Sequence, residues 1–228
     1  GPVQCSTVSG STFPIGTTTV TCTSTDTHSN TGTASFTVTI SSFLQEKQSV
    51  IPSLQSITPV DHDDKQDLKQ TIDAVQDSVN ASLWQSDGVH LVVKKGDKVF
   101  DDEKKAVDQL QNIINDKKES SSTVTTLQSD ISTLIDVDQK LAKTAISDAS
   151  TASNGYTGDN AKDVNQDIAE AQKEMTAASN EISKGHFAAG IEHYSNAWKH
   201  AEDAITDTTQ NAHDDDHEDN DGNHDNNK

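Results

Sequence analysis

The chain contains no arginine: all 17 of its basic residues are lysines. Arginine is the bidentate reader of phosphates and base edges. Its absence, beside 37 acidic residues and a net charge of -20, argues against nucleic acid and against anionic membrane surfaces. Aromatic residues make up only 4% and hydrophobic residues 31%, too little for a thick globular core. Helices that each bury one narrow stripe can be built from that supply. No apolar run is long enough for a membrane-spanning helix. Two cysteines are present, Cys5 and Cys22, with no CxxC or Cys/His zinc spacing. The chain opens on Gly1-Pro2 without a signal peptide and runs straight into strand-like sequence, as a fragment of a longer precursor would. Ser, Thr, Asn and Asp are abundant, as in many secreted and surface proteins.

What is present begins with a two-residue period. Val3 to Thr7, Thr17 to Ser24 and Thr33 to Ile40 read as three short strands. In the third, Ala34, Phe36, Val38 and Ile40 alternate with Ser35, Thr37 and Thr39. Turn chemistry at Phe13-Pro14-Ile15-Gly16 and at Asp26 to Gly32 separates the strands. Cys5 and Cys22 fall on the first two. They are either free buried thiols of a cytosolic protein or a disulfide, and a segment with so little core favours the disulfide.

Cys5, the turn Ser9-Gly10-Ser11, the run Phe13-Pro14-Ile15-Gly16-Thr17-Thr18, Val20, Cys22, Asp26 through Asn30, Phe36 and Val38 occur in an order that resembles the C-terminal half of a HYR (hyalin repeat) domain. That family is an extracellular immunoglobulin-like sandwich. The family usually places glycine where Ser29 stands, so a reshaped turn is expected there. The resemblance implies secretion or cell-surface display, adhesion or interaction, and no catalysis. Half a sandwich leaves an open apolar face and an unpaired edge, through which self-association is expected.

Residues 43–60 carry Pro52 and Pro59 and read as a linker. From Asp61 the apolar period lengthens to that of a helix. About five helices are expected, near 63–84, 101–117, 124–149, 160–183 and 187–208. Phe100 stands just before the second, as a staple residue would. The third stripe is interrupted by Asp138. The last two helices, joined at Gly185, form an αα-hairpin with Ala and Gly on one side facing aromatics on the other. The run from Gly185 to Trp198 resembles the second helix of a tetratricopeptide repeat, but no second copy follows, so a single bundle over residues 61–209 is expected. Residues 210–228 hold almost only His, Asp, Asn and Glu and are expected to be a disordered acidic tail. The fold class is therefore α+β with segregated segments: a small immunoglobulin-like β piece, then an all-α bundle.

Nothing forms a nucleophile elbow, phosphate loop or zinc signature, and no enzyme is expected. His186, His193 and His200 recur every seven residues, about 10 Å apart along a helix, too far for neighbours to share one ion. They read as boundary residues of the bundle. Asp61-His62-Asp63-Asp64 reads as a solvated helix cap. The loop from Ser86 to Val99 is the first binding candidate, with Trp84, Asp87, His90, Lys95 and Asp97 as its residues. Its pattern, Trp then Asp-Gly-x-His-Leu then Lys-x-Gly-x-Lys-Val-Phe-Asp, is similar to a helical domain of secreted prokaryotic and archaeal proteins of unassigned function. In the tail, His213, Asp215, His217, Asp219, Asp221 and His224 are candidates for loosely bound divalent cations. An EF-hand alignment on Gly222 fails, because it puts His217 and Lys228 at the end ligand positions. Asn80-Ala81-Ser82 is the one glycosylation sequon. The expected function is non-enzymatic extracellular interaction with a protein or surface polymer, without nucleic acid, membrane insertion or cofactor. Divalent-cation binding through acidic faces and tail is the alternative.

Overall fold

The computed structural model describes residues 1–214, with side chains described through residue 209. It is a mixed α+β chain with the two kinds of structure segregated. Strands β1 (Val3–Cys5), β2 (Gly16–Thr25) and β3 (Thr31–Ile40) form an antiparallel sheet in the order β1-β2-β3. Opposed residues share a face. Val20 sits opposite Phe36, Cys22 opposite Ala34 and Thr18 opposite Val38, which gathers the apolar residues on one side. The other side is a ladder of hydroxyls, with Thr17 paired to Thr39 at 3.1 Å and Thr21 to Ser35 at 3.0 Å. Cys5 faces Cys22 across the β1–β2 pair, and the two are joined as a disulfide.

The apolar side is left open. Phe36 is 55% exposed, and among the described residues β3 pairs only with β2. The turn between β2 and β3 keeps a left-handed residue without glycine: Ser29 has φ 65°. Asp26 holds the turn by accepting from the backbone N–H groups of His28 and Asn30, at 2.8 and 2.9 Å, and from the Asn30 amide. These bonds, the Asn30 side chain first, hold its carboxyl below the usual range.

Six α-helices follow: α1 (Phe43–Gln55), α2 (His62–Ser78), α3 (Asp97–Asp116), α4 (Ser121–Ala152), α5 (Ala161–Ser183) and α6 (Phe187–Asp214). Helix α1 occupies what reads as linker from sequence. It begins with a capping box, in which Ser42 Oγ accepts from Gln45 N and Gln45 Oε1 accepts from Ser42 N. Pro52 lies inside it, at a cost of about 3 kcal/mol for the lost hydrogen bond and the ring clash. Complete burial of Lys47, Val50 and Leu54 against the bundle outweighs that cost.

The helix expected to run to residue 84 stops at Ser78. The Trp84 indole is buried and donates to the Ser78 carbonyl at 2.8 Å, which satisfies the helix end and turns the chain. A short 3-10 turn, Ala81–Leu83, follows. Helix α3 starts four residues earlier than expected, so Phe100 is an interior core residue, 6.1 Å ring to ring from Trp198. Helices α2 and α3 form one hairpin, α5 and α6 another, and α4 runs along α6 and α1. In the second hairpin a Cβ on Gly190 would meet Ile182 Cδ1 at 2.3 Å, so glycine there permits the close approach. The core is a continuous set of small and medium apolar side chains with Phe100, Tyr194 and Trp198 at its centre.

Candidate functional site

The loop singled out in the sequence is largely built into the fold. Trp84 and Leu91 are buried and bridge one another, closing residues 85–90 into a tight excursion. Gly88 has φ +67° and its carbonyl accepts from Leu44 N at 2.9 Å, docking the loop on the start of α1. A Cβ on Gly96 would meet Leu91 Cβ at 2.5 Å and Trp198 Cζ2 at 2.8 Å. Of the five candidate residues, only Asp87 and His90 come together. Asp87 caps the loop by accepting from Val89 N and His90 N, and His90 Nδ1 lies 2.5 Å from Asp87 Oδ2. His90 Nε2 lies 3.0 Å from Asp148 Oδ2 on α4. Burial works to lower the His90 pKa, and the two flanking carboxylates outweigh it, so the ring is held protonated above its usual range. No serine, threonine or cysteine oxygen or sulfur is hydrogen-bonded to this imidazole among the described residues. It is a charged clasp between the loop and α4. Lys95 is exposed, and Asp97 opens α3 with Lys199 Nζ at 3.9 Å. Asn80 is exposed in the turn after α2, where its Oδ1 accepts from Ser82 N at 3.0 Å.

The three heptad-spaced histidines, His186 in the turn before α6 and His193 and His200 on it, each meet an acid on α5. His186 Nδ1 is 2.7 Å from Glu181, His193 Nδ1 2.6 Å from Glu174, and His200 Nδ1 3.1 Å from Asp167. The acids also recur every seven residues, so antiparallel packing brings the two series into register. Ring nitrogens engaged in this way stitch the hairpin.

A groove of about 570 Å³ lies over α3 and α4 beside the α5–α6 turn. Its apolar floor includes Ile114, Ile131, Ile135 and Phe187, and its walls carry the carboxamides of Gln111, Asn115, Gln128 and Gln139. It continues past Gly185 along Asp108 and Asn112. Gln111 Nε2 donates to the Gly185 carbonyl at 3.2 Å, and Gln139 Nε2 to the Tyr194 hydroxyl at 3.0 Å. Asp136, the one carboxylate in the main groove, is paired with Lys140 at 2.7 Å. The groove is thus close to neutral on a strongly acidic chain. Its residues are scattered over four helices and carry no linear motif.

Asp61, Asp64 and Asp116 place carboxylate oxygens within 4.8 Å of one another, where the start of α2 meets the end of α3. Asp61 caps α2 by accepting from Asp64 N at 2.9 Å. Lys118 reaches into the group, contacting Asp61 and, at 2.8 Å, Asp116. Asp64 is 2% exposed and its Oδ2 has no hydrogen-bond partner among the described residues. Burial and the surrounding acids, Asp61 first, hold its carboxyl above the usual range. All-oxygen donors of this kind suit a hard divalent cation. The tail candidates His213, Asp215, His217, Asp219, Asp221 and His224 lie outside the described side chains.

One cluster was hidden in the sequence. Lys47 from α1, Glu103 from α3 and Asp138 from α4 meet with no exposed side-chain surface. Asp138 breaks an apolar stripe, Glu103 falls in register with Phe100, Val107 and Leu110, and Lys47 with Val50 and Leu54. A charge at an apolar-stripe position, repeated on three helices, was the available signal.

No curated protein and no solved structure matches the chain. The similarity drawn for the helical segment has no family match behind it. A family model for the HYR domain matches residues 2–40, the disulfide-bonded sheet, and ends before α1 begins.

Proposed function

We propose that this chain is a secreted or cell-surface interaction protein without catalytic activity. The β module serves as an adhesion or spacer unit and the bundle as the partner-binding body. The observation that carries the reading is the HYR-domain match over residues 2–40, because that module is non-catalytic, adhesion-type and found in extracellular proteins. The Cys5–Cys22 disulfide supports an oxidising location. No helix of the described residues is long and apolar enough to cross a membrane.

The partner that fits the bundle groove is an extended peptide segment of another protein. The isoleucine floor takes its apolar side chains, and carboxamides, being donors and acceptors at once, take its backbone. A near-neutral lining disfavours a highly charged ligand. Selection of random displayed peptides on the full chain, in parallel with an Ile135→Lys variant, tests this. Enrichment of peptides with spaced apolar residues on the wild-type chain alone is expected. Equal enrichment on a folded Ile135→Lys variant would contradict the groove.

The orphaned Oδ2 of Asp64 favours a second reading, divalent-cation binding at Asp61, Asp64 and Asp116. Under it, calcium titrated into the full chain shifts the amide resonances of residues 61–64 and 116–119, and the Asp116→Asn variant loses those shifts. Changes confined to residues 210–228 would assign cation binding to the tail instead.

A further inference from the structure

Lys47, Glu103 and Asp138 form a dry, closed group at the junction of α1, α3 and α4. Lys47 Nζ donates to Asp138 Oδ1 at 2.6 Å and also to Glu103 Oε2. Asp138 Oδ2 and Glu103 Oε1 have no hydrogen-bond partner among the described residues. Such oxygens lose their hydration and gain nothing in exchange. A purely ionic cluster is a poor explanation, because well-packed apolar residues serve a core at least as well. One ammonium against two carboxylates also leaves a negative charge in a core that water does not reach, and taking up one proton removes it. Burial, with Glu103 beside it, keeps the Asp138 carboxyl well above the ordinary carboxylate range, so that proton belongs on Asp138. The ammonium is held by the same two partners: burial pushes Lys47 down, and Asp138 and Glu103 push it up by more. A proton passed from the ammonium to Glu103 leaves a neutral amine beside a neutral acid.

We propose that Lys47 and Asp138 condense to an intramolecular isopeptide bond, with Glu103 transferring the proton. The Nζ lone pair attacks Cγ of the protonated Asp138 carboxyl, and the C–N bond forms. Glu103, protonated by the ammonium, gives that proton to the departing hydroxyl and takes one from nitrogen in its place. The C–O bond breaks and water leaves. Amine and acid become a secondary amide and one water; nothing is oxidised or reduced, and Glu103 ends protonated, holding the proton the ammonium gave up. Three packed helices hold the reacting groups in contact, which supplies the effective concentration that the same condensation lacks in solution. The product leaves no charge in the group, and its new N–H remains in reach of Glu103.

The bond has a mechanical consequence. Helix α1 follows β3 after two residues, so tension on the β module enters the bundle through α1. A link from Lys47 to Asp138 passes that tension directly to α4.

Intact-mass spectrometry of the full chain, after the disulfide is reduced, tests the proposal without any variant. The expected mass is lower than that of the sequence by one water, with conversion close to complete. Lysine-specific digestion is expected to skip Lys47 and to yield one branched peptide joining residue 47 to residue 138. A chain of full mass, cleaved normally at Lys47, overturns the proposal. So does a water loss that maps to Asp87-Gly88 or Asp221-Gly222, where cyclic imides form. A folded Glu103→Gln variant is expected to keep its full mass; complete linkage in that variant would overturn the role given to Glu103.

Discussion

The sheet and the bundle lie next to each other in one chain and are held by opposite means. The sheet has an open apolar face, with Phe36 more than half exposed, and its fixed points are a disulfide, a ladder of threonine hydroxyls and the Asp26 turn. Three strands with so little buried surface are marginal without a covalent staple or a partner. The bundle has the reverse construction. Most of its apolar side chains are covered by one another, and it buries charge as well: Lys47, Glu103 and Asp138 are fully covered and Asp130 is 6% exposed. The difference teaches where each part looks for stability. The sheet depends on its disulfide and on whatever covers its face, while the bundle depends first on its own packing, which also brings the Lys47 group together.

The largest effect that sharpens this contrast comes from the buried cluster. Lys47→Ala strips the cluster of its amine and leaves Glu103 and Asp138 facing each other in the core, and is expected to destabilise the bundle by about 3–5 kcal/mol. Urea unfolding followed by Trp84 and Trp198 fluorescence measures it, and both tryptophans report on the bundle alone. A loss below 1 kcal/mol would mean that the cluster is wetter than its zero exposure implies.

A smaller effect of opposite sign is expected at Asp130. Burial raises its carboxyl pKa to about 6, and the hydrogen bond from Ser53 Oγ at 2.9 Å only partly offsets that. The folded value lies above the ordinary one, so the contribution to stability is full at low pH and is lost as pH rises from about 4 through 6. Asp130→Asn is therefore expected to stabilise the protein by about 2 kcal/mol at pH 7 and to make no difference below pH 4. Unfolding curves of the two chains across that range check it; a gain that persists at low pH would contradict the cause given.

Much of this architecture was legible in the sequence. The period of two fixed the strands, because opposed β-branched and apolar residues must share a face, and Cys5 and Cys22 fell on that same face. The period near 3.6 found α4, α5 and α6, with Gly185 between the last two. Helix α1 was hidden by Pro52, whose local cost is outweighed only by tertiary burial that a sequence does not display. The capping box at Ser42 and Gln45 was its visible sign. The candidate loop attracted notice for residues that turn out to anchor it: Trp84 and Leu91 fill the core, and Gly96 makes room for Trp198. The groove stayed hidden for the opposite reason. Gln111, Asn115, Gln128 and Gln139 look like ordinary exposed helix residues until α3 and α4 bring them to one rim. The Lys47 cluster joins positions from three helices, and only packing shows that the charges meet.

Amide hydrogen exchange on the full chain, compared with a Cys5→Ser/Cys22→Ser variant, tests the contrast most directly. The account expects the variant to lose protection across residues 3–40, by about 3 kcal/mol for a loop of this size, while residues 43–209 exchange as before. Loss of protection in α1 through α6 on removing the disulfide would contradict it.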